Sequence, residues 1–340
     1  MTMSIAAAFK TGLQRVASAP SVLLGVAALT FLCALPLGLA LRPMIADSLG
    51  ASLAAHAAAT GANPEWWQEF TEQAQGVGRA FTPATIGFAA VLDNLSSMAD
   101  NTAHVTVVAA SGVAYVFLWT FLVGGILDRY ARGRATRSAG FFAASGVFFF
   151  RFLRLAVVAG AAYWLLFGPL HAWLFRSVYP ALTREFTGER QTFAIRVALY
   201  LVFGASLALV NLLFDYAKVR AVVEDRRSML GALTAAAGFL RRHPGGVVGL
   251  YLLDGLCFIL VVAAYGMVAP GASAPLWWTL LAGQAYLLAR LFVRLLFFAS
   301  EVALFQRALA HSEYTAMPLP VWPDSPAAEA IVSGSRAHEA

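Results

Sequence analysis

The chain has 340 residues, of which 60% are hydrophobic and only 12% charged, with a mean hydropathy of +0.70. Soluble domains carry about 25% charged residues, so this chain has too little polar surface to cover a water-soluble globule of its size. The net charge of +6 does not point to nucleic acid, because the basic residues sit at the ends of apolar runs, where the positive-inside rule puts them, and not on a separate basic, aromatic-interleaved patch.

Met1 to Ala19 reads as an amphipathic helix with Ile5, Phe9, Leu13 and Val16 on one face and Lys10, Gln14 and Arg15 away from it. A basic helix of this kind lies in the headgroup region. Pro20 opens the first apolar span, residues 21–41, which is long enough to cross a bilayer core of about 30 Å. A cleaved signal peptide competes with this reading, but the apolar run is too long for one. Residues 42–104 form an external segment with two arginines against six acids. Asn63-Pro64 starts a helix there, and Trp66 and Trp67 suit a membrane interface or a partner surface. Short helices, not a folded catalytic domain, are expected, since about 60 residues is at the margin of an independent core.

The second span is 105–127, followed by Asp128 and a run of arginines. A Phe-rich interfacial helix over 138–152, with Arg151 and Arg154, precedes the third span, 155–175. The link 176–191 leads to the fourth span, 193–214. Asp215 then begins a charged helix that becomes amphipathic and ends at Arg241-Arg242-His243-Pro244. The fifth span is 245–269 and the sixth is 276–300. Residues 312–340 contain four prolines and few apolar side chains and read as a disordered tail, able to offer a polyproline segment to a partner.

The expected fold is therefore all-α: a polytopic bundle of six transmembrane helices over 1–311, with interfacial amphipathic helices. Fourteen of the 24 lysines and arginines fall in the N-terminal helix and the links after spans two and four, which predicts both termini on the cytoplasmic side. Arginine outnumbers lysine 22 to 2, a usage associated with GC-rich bacterial genomes, hence a bacterial inner membrane.

A threefold internal repeat is also legible. With Phe9 set against Leu233, Pro20 falls on Pro244 and Gly25 on Gly249; Phe142 to Val158 fits the same slot without the proline. The even spans close alike, at Asp128, Asp215 and Glu301. Each unit is an interfacial helix, an outgoing span, an external link and a returning span ended by an acid. Proline in the first turn of a span sacrifices no hydrogen bond and permits a bend. Convergent composition is the competing account. Mitochondrial carriers share a six-span tripartite plan, but their Pro-x-acid-x-x-base motif is missing after Pro20, Pro169 and Pro244. The layout, with ALTAAAGFLRRHP following a DYAK segment, resembles uncharacterised bacterial six-span inner-membrane proteins. The resemblance covers most of the chain and brings no activity with it.

Ionisable groups at membrane depth are costly and often functional. Asp254 in the fifth span and Arg290 in the sixth come out at similar depth on antiparallel helices, which predicts an ion pair, with Arg294 one turn nearer the cytoplasm. Such a pair is either a gate or substrate contact, or a structural bridge with Arg294 snorkelling. Asn211 and Gln284 are expected to bond neighbouring helices. Arg151, Arg154, Arg241 and Arg242 are candidates for contacts with anionic headgroups. Cys33 and Cys257 read as apolar side chains, and neither cysteine nor histidine spacing suggests a metal site. No cofactor or catalytic motif is expected. The expected roles are passage of a small solute or lipid, or scaffolding through the external segment or tail; membrane lipids are the expected partners.

Overall fold

A computed structural model describes residues 4–60, 63–102, 106–133, 137–271 and 274–311. The proposed tail, 312–340, and Arg134 lie outside them. The described chain is all-α, without a strand. Its helices are α1 (Ile5–Ala17), α2 (Pro20–Ala51), α3 (Ala55–Thr60), α4 (Pro64–Gln73), α5 (Gly87–Asp100), α6 (Thr106–Arg132), α7 (Ser138–Leu165), α8 (Tyr179–Thr183), α9 (Glu189–Val223), α10 (Met229–Arg242), α11 (Pro244–Val268) and α12 (Leu276–His311). Two π-helical turns, Leu166–Leu170 and Trp173–Val178, join α7 to α8.

Among the described residues, five helices are long and apolar enough to cross a membrane: α2, α6, α7 with its π-helical extension to Thr183, α9 and α11. α12, which was expected to be the sixth, is not in that set. Much of the apolar surface faces outward. Leu201 and Val157 are each 70% exposed, a state that suits lipid and not water.

Proline decides where an interfacial helix separates from its span. α1 stops at Ala17 and α2 starts at Pro20; α10 stops at Arg242 and α11 starts at Pro244. A proline ring would clash with the preceding turn of a continuous helix but fits the first turn of a new one. The corresponding stretch before the third span has no proline, and there α7 runs unbroken from Ser138 to Leu165. The interfacial helix and the span expected as two elements are one. The link expected over 176–191 is also shorter, since helix continues to Thr183, and α2 continues beyond residue 41 to Ala51 despite Pro36 and Pro43.

The buried core sits at the C-terminal parts of α6, α9 and α12, around Ile126–Tyr130, Asp215–Val222 and Leu295–Phe305. These three helices touch one another, and each is clasped by an amphipathic segment: α6 by the first half of α7, α9 by α10, and α12 by α1. The clasps approach closely because small residues line them. α1 turns Ala8, Gly12, Val16 and Ala19 inward and leaves Leu13 exposed, so the buried face is rotated away from the bulky one expected. A Cβ on Gly12 would sit 2.8 Å from the Ser300 backbone, and one on Gly125 of α6 would sit 2.5 Å from Ser145 Oγ of α7. Gly12, Ser145 and Ala236, which share a slot in the repeat alignment, are all buried. Polar contacts fasten the α1 clasp. Arg15 Nη2 donates to Gln306 Oε1 at 2.7 Å, Arg307 Nη2 donates to Thr11 Oγ1 at 3.0 Å, and Gln306 Nε2 donates to Ala131 O at the end of α6 at 2.8 Å.

Replacing Gly12 by leucine is expected to lower stability by about 1–3 kcal/mol through overpacking against Ser300. Gly25→Ala, which meets nothing within 4 Å, is expected to be neutral or slightly stabilising. Thermal unfolding of the two variants in mild detergent checks the contrast.

Candidate functional site

The C-terminal parts of α9 and α12 and the middle of α11 bring three buried carboxylates into one neighbourhood: Asp215, Asp254 and Glu301. Each helix contributes one. Asp254 is fully buried; Ser300 Oγ donates to its Oδ2 at 2.6 Å, and its Oδ1 meets no donor of the chain. Glu301, beside Ser300, is 2% exposed, and neither carboxylate oxygen has a hydrogen-bond partner in the chain. The hydroxyl of Tyr216, wholly buried and within electrostatic reach of all three acids, is likewise unpartnered.

Asp215 is better supplied. Lys218 Nζ donates to its Oδ1 at 2.5 Å and Asn211 Nδ2 to its Oδ2 at 2.9 Å. Asn211 also links three helices, reaching Tyr251 of α11 at 3.2 Å and accepting from Tyr163 of α7 at 3.4 Å. That is the helix-bonding role expected for it. Lys218 lies 5.4 Å over the ring of Phe298 on α12 and is the nearest cation to the group. The third closing acid, Asp128 on α6, is paired within its own helix, with Arg132 at 2.8 Å.

The expected Asp254–Arg290 ion pair is absent among the described residues. α12 does not end its buried course near Ser300 but continues to His311. Asp254 therefore opposes Ser300, ten residues along α12 from Arg290, or about 15 Å at 1.5 Å per residue. Arg290 is exposed. Arg294 stacks its guanidinium 3.6 Å over Trp119 of α6 and donates to Tyr115 Oη at 3.4 Å. Gln284 is exposed.

The headgroup candidates divide. Arg154, Arg241 and Arg242 are exposed, whereas Arg151 is committed to Asp225 at 2.6 Å and lies over Phe148. In α4 Trp66 is only 5% exposed and packs with Phe70 and Ala74 into a separate small cluster that includes Met44, Leu49 and Phe81; Trp67 is half-buried in it. The external aromatic interface expected at Trp66 and Trp67 is thus a local core. It forms because α2 extends outward far enough to supply its other wall.

Where α5 ends against the π-helical turns, a recess of about 350 Å³ is lined by residues including Asn101, Phe167, His171 and Arg176. The π-helical turn around Pro169 frees the carbonyl of Phe167, which accepts from Asn101 Nδ2 at 2.8 Å. Nearby, the Tyr200 hydroxyl above all, then Ser96 and Arg196, holds the Asp100 carboxyl below its ordinary range. No group of three or more histidines, cysteines or acids among the described residues is arranged to hold a metal ion.

No family model matches this chain, and no curated protein or solved structure is similar to it.

Sequence reasoning singled out Asp254 and used Asp215 and Glu301 only as markers of the repeat. Ser300, Tyr216 and Lys218 were missed as partners. The available signal was that two of the three closing acids, Asp128 and Asp215, have a base three or four residues on, and Glu301 does not.

Ser300→Ala is expected to leave Asp254 without a donor and to cost about 1–3 kcal/mol. Asp254→Asn combined with Ser300→Ala should lose less than the sum of the single changes. Arg290→Gln should show no coupling to Asp254→Asn. Denaturation of the five variants in detergent measures both couplings.

Proposed function

We propose that the chain crosses the inner membrane of a bacterium six times, with α12 as the sixth crossing and both termini on the cytoplasmic side, and that it moves a small solute in step with protons. The observation that carries the reading is the trio Asp215, Asp254 and Glu301, buried on three adjoining helices, with Lys218 the one cation among the described residues that is ion-paired to any of them. Isolated buried carboxylates are strongly destabilising, and in membrane proteins such groups recur in ion pathways and proton relays. A purely structural role is served better by apolar side chains of similar size.

The threefold repeat supports the same plan. Three returning helices, α6, α9 and α12, meet at the centre, and each carries an amphipathic clasp. Two packed units can rock against the third around the acids, which gives alternating exposure of the carboxyls without breaking any one helix. The distribution of basic residues and the exposed apolar surface favour membrane lipids as the surrounding partners. A scaffold built on an exposed Trp66–Trp67 face loses its main support, since Trp66 is buried.

Proton movement is the direct test. The full chain is reconstituted into liposomes loaded with a pH-sensitive dye, and a pH step is applied outside with potassium and valinomycin clamping the potential. The expected result is re-equilibration several-fold faster than in empty liposomes, with Glu301→Gln and Asp254→Asn each returning most of the rate to the background. Rates equal to empty liposomes, or variants as fast as the unmodified chain, would overturn the proposal.

A further inference from the structure

The geometry points to Arg290 and Arg294, backed by Trp119 and Tyr115, as a binding station for an oxyanion, the carboxylate or phosphate group of a small solute. This inference rests on the transport reading and names the chemical class that the protein carries.

Arg290 and Arg294 lie one turn apart on α12, so their guanidiniums share one side of the helix. Neither makes an ion pair among the described residues. Asp215 lies within electrostatic reach of Arg294, but both its oxygens are taken, one by Lys218 and the other by Asn211. Two cations on a helix at membrane depth, without a carboxylate of the chain, call for an anion from elsewhere.

The stacking on Trp119 fixes how Arg294 meets it. A guanidinium lying face-on over an indole keeps its N–H donors in the plane parallel to the ring, pointing outward from the stack. Only one of them is used, in the long contact to Tyr115 Oη. The free edge has the fork geometry that binds carboxylate or phosphate with two parallel hydrogen bonds. Trp119 is itself buried and stacked near Phe298, so the platform is rigid. Arg290, exposed, adds a second cation about 6 Å along the axis.

Depth separates a solute from a headgroup. α1 crosses α12 at Ser300. Arg294 and Arg290 lie six and ten residues further outward, about 9 and 15 Å at 1.5 Å per residue. In a hydrocarbon layer of about 30 Å that puts Arg290 near the middle, well away from the phosphates of either leaflet.

The test uses the full chain, delipidated in neutral detergent. Inorganic phosphate and succinate are titrated separately at constant ionic strength held with potassium chloride, with the unfolding temperature as readout. One or both are expected to raise it saturably. Arg290→Gln, at an exposed position that leaves the packing intact, should weaken the apparent affinity at least tenfold. Arg294→Lys should weaken it too, because it keeps the charge without the fork. Arg184→Gln, at an exposed position outside both the station and the headgroup candidates, should leave it unchanged. The same titration is run in nanodiscs of zwitterionic lipid with and without phosphatidylglycerol. If neither probe acts and phosphatidylglycerol alone stabilises the chain in an Arg290-dependent way, the ligand is a lipid headgroup and the solute assignment is overturned. No shift with any probe, or equal shifts in unmodified chain and Arg290→Gln, also overturns it. Anion binding without proton flux sinks the transport reading alone, and proton flux without anion binding sinks this one alone.

Discussion

The approach of Gly12 to the backbone of Ser300 is the contact on which the buried chemistry depends. With no side chain at residue 12, α1 lies directly on α12. It covers the point where Ser300 donates to Asp254 and where Glu301 sits without a partner. Removing that cover would let water reach both carboxyls, and their interaction with the rest of the bundle would be screened. Gln306 then ties the same clasp to the end of α6, so sealing the acids and joining the first and last helices of the described chain are one event.

The remaining clasps obey the same constraint with different residues. In α7 against α6, the glycine is on the spanning helix, at Gly124 and Gly125, and Ser145 faces it. In α10 against α9, alanines serve, Ala232 and Ala236 on one side and Ala217 and Ala221 on the other, all fully buried. Arg220 adds a hydrogen bond to the carbonyl of Ala235 across that pair. Small residues matter here because helices surrounded by lipid gain little from burying apolar side chains, and close backbone approach supplies the attraction instead. Some bulky apolar residues of the amphipathic segments, Leu13, Phe150 and Leu230, are left outside, while Phe148, Phe152 and Phe239 fill the spaces beside the small ones.

The legible part of this architecture was the part set by length and by proline. Runs of apolar residues gave the helices, and Pro20 and Pro244 marked real breaks. The same rule, applied to the stretch before the third span, should have predicted its continuity, since nothing there interrupts a helix. What could not be read was axial register between helices. Depth was counted from assumed ends, and α12 runs eleven residues past Ser300 to His311, which moves Asp254 from Arg290 to Ser300. Trp66 failed for a related reason. A tryptophan in a short polar segment reads as interfacial, but α2 continues beyond its apolar run and gives it a wall to pack against. Both errors come from side chains whose partners lie on helices distant in sequence, where local pattern carries no information.

The three closing acids differ in how their charge is balanced. Asp128 is followed four residues later by Arg132 and is neutralised within its own helix. Asp215 is followed three residues later by Lys218 and gains Asn211 besides. At Glu301 the equivalent positions are Leu304 and Phe305, both buried in the core. The counter-cation is gone, and the nearest one, Lys218, is already held by Asp215. A pairing of acid and base at i and i+3 or i+4 stabilises a helix modestly and asks nothing of the neighbours. An acid buried without such a base is a group whose charged form the chain itself does not balance. That asymmetry, and not the number of acids, is the physical argument for regarding the α11–α12 end as the working part of the molecule and the α6 end as its frame.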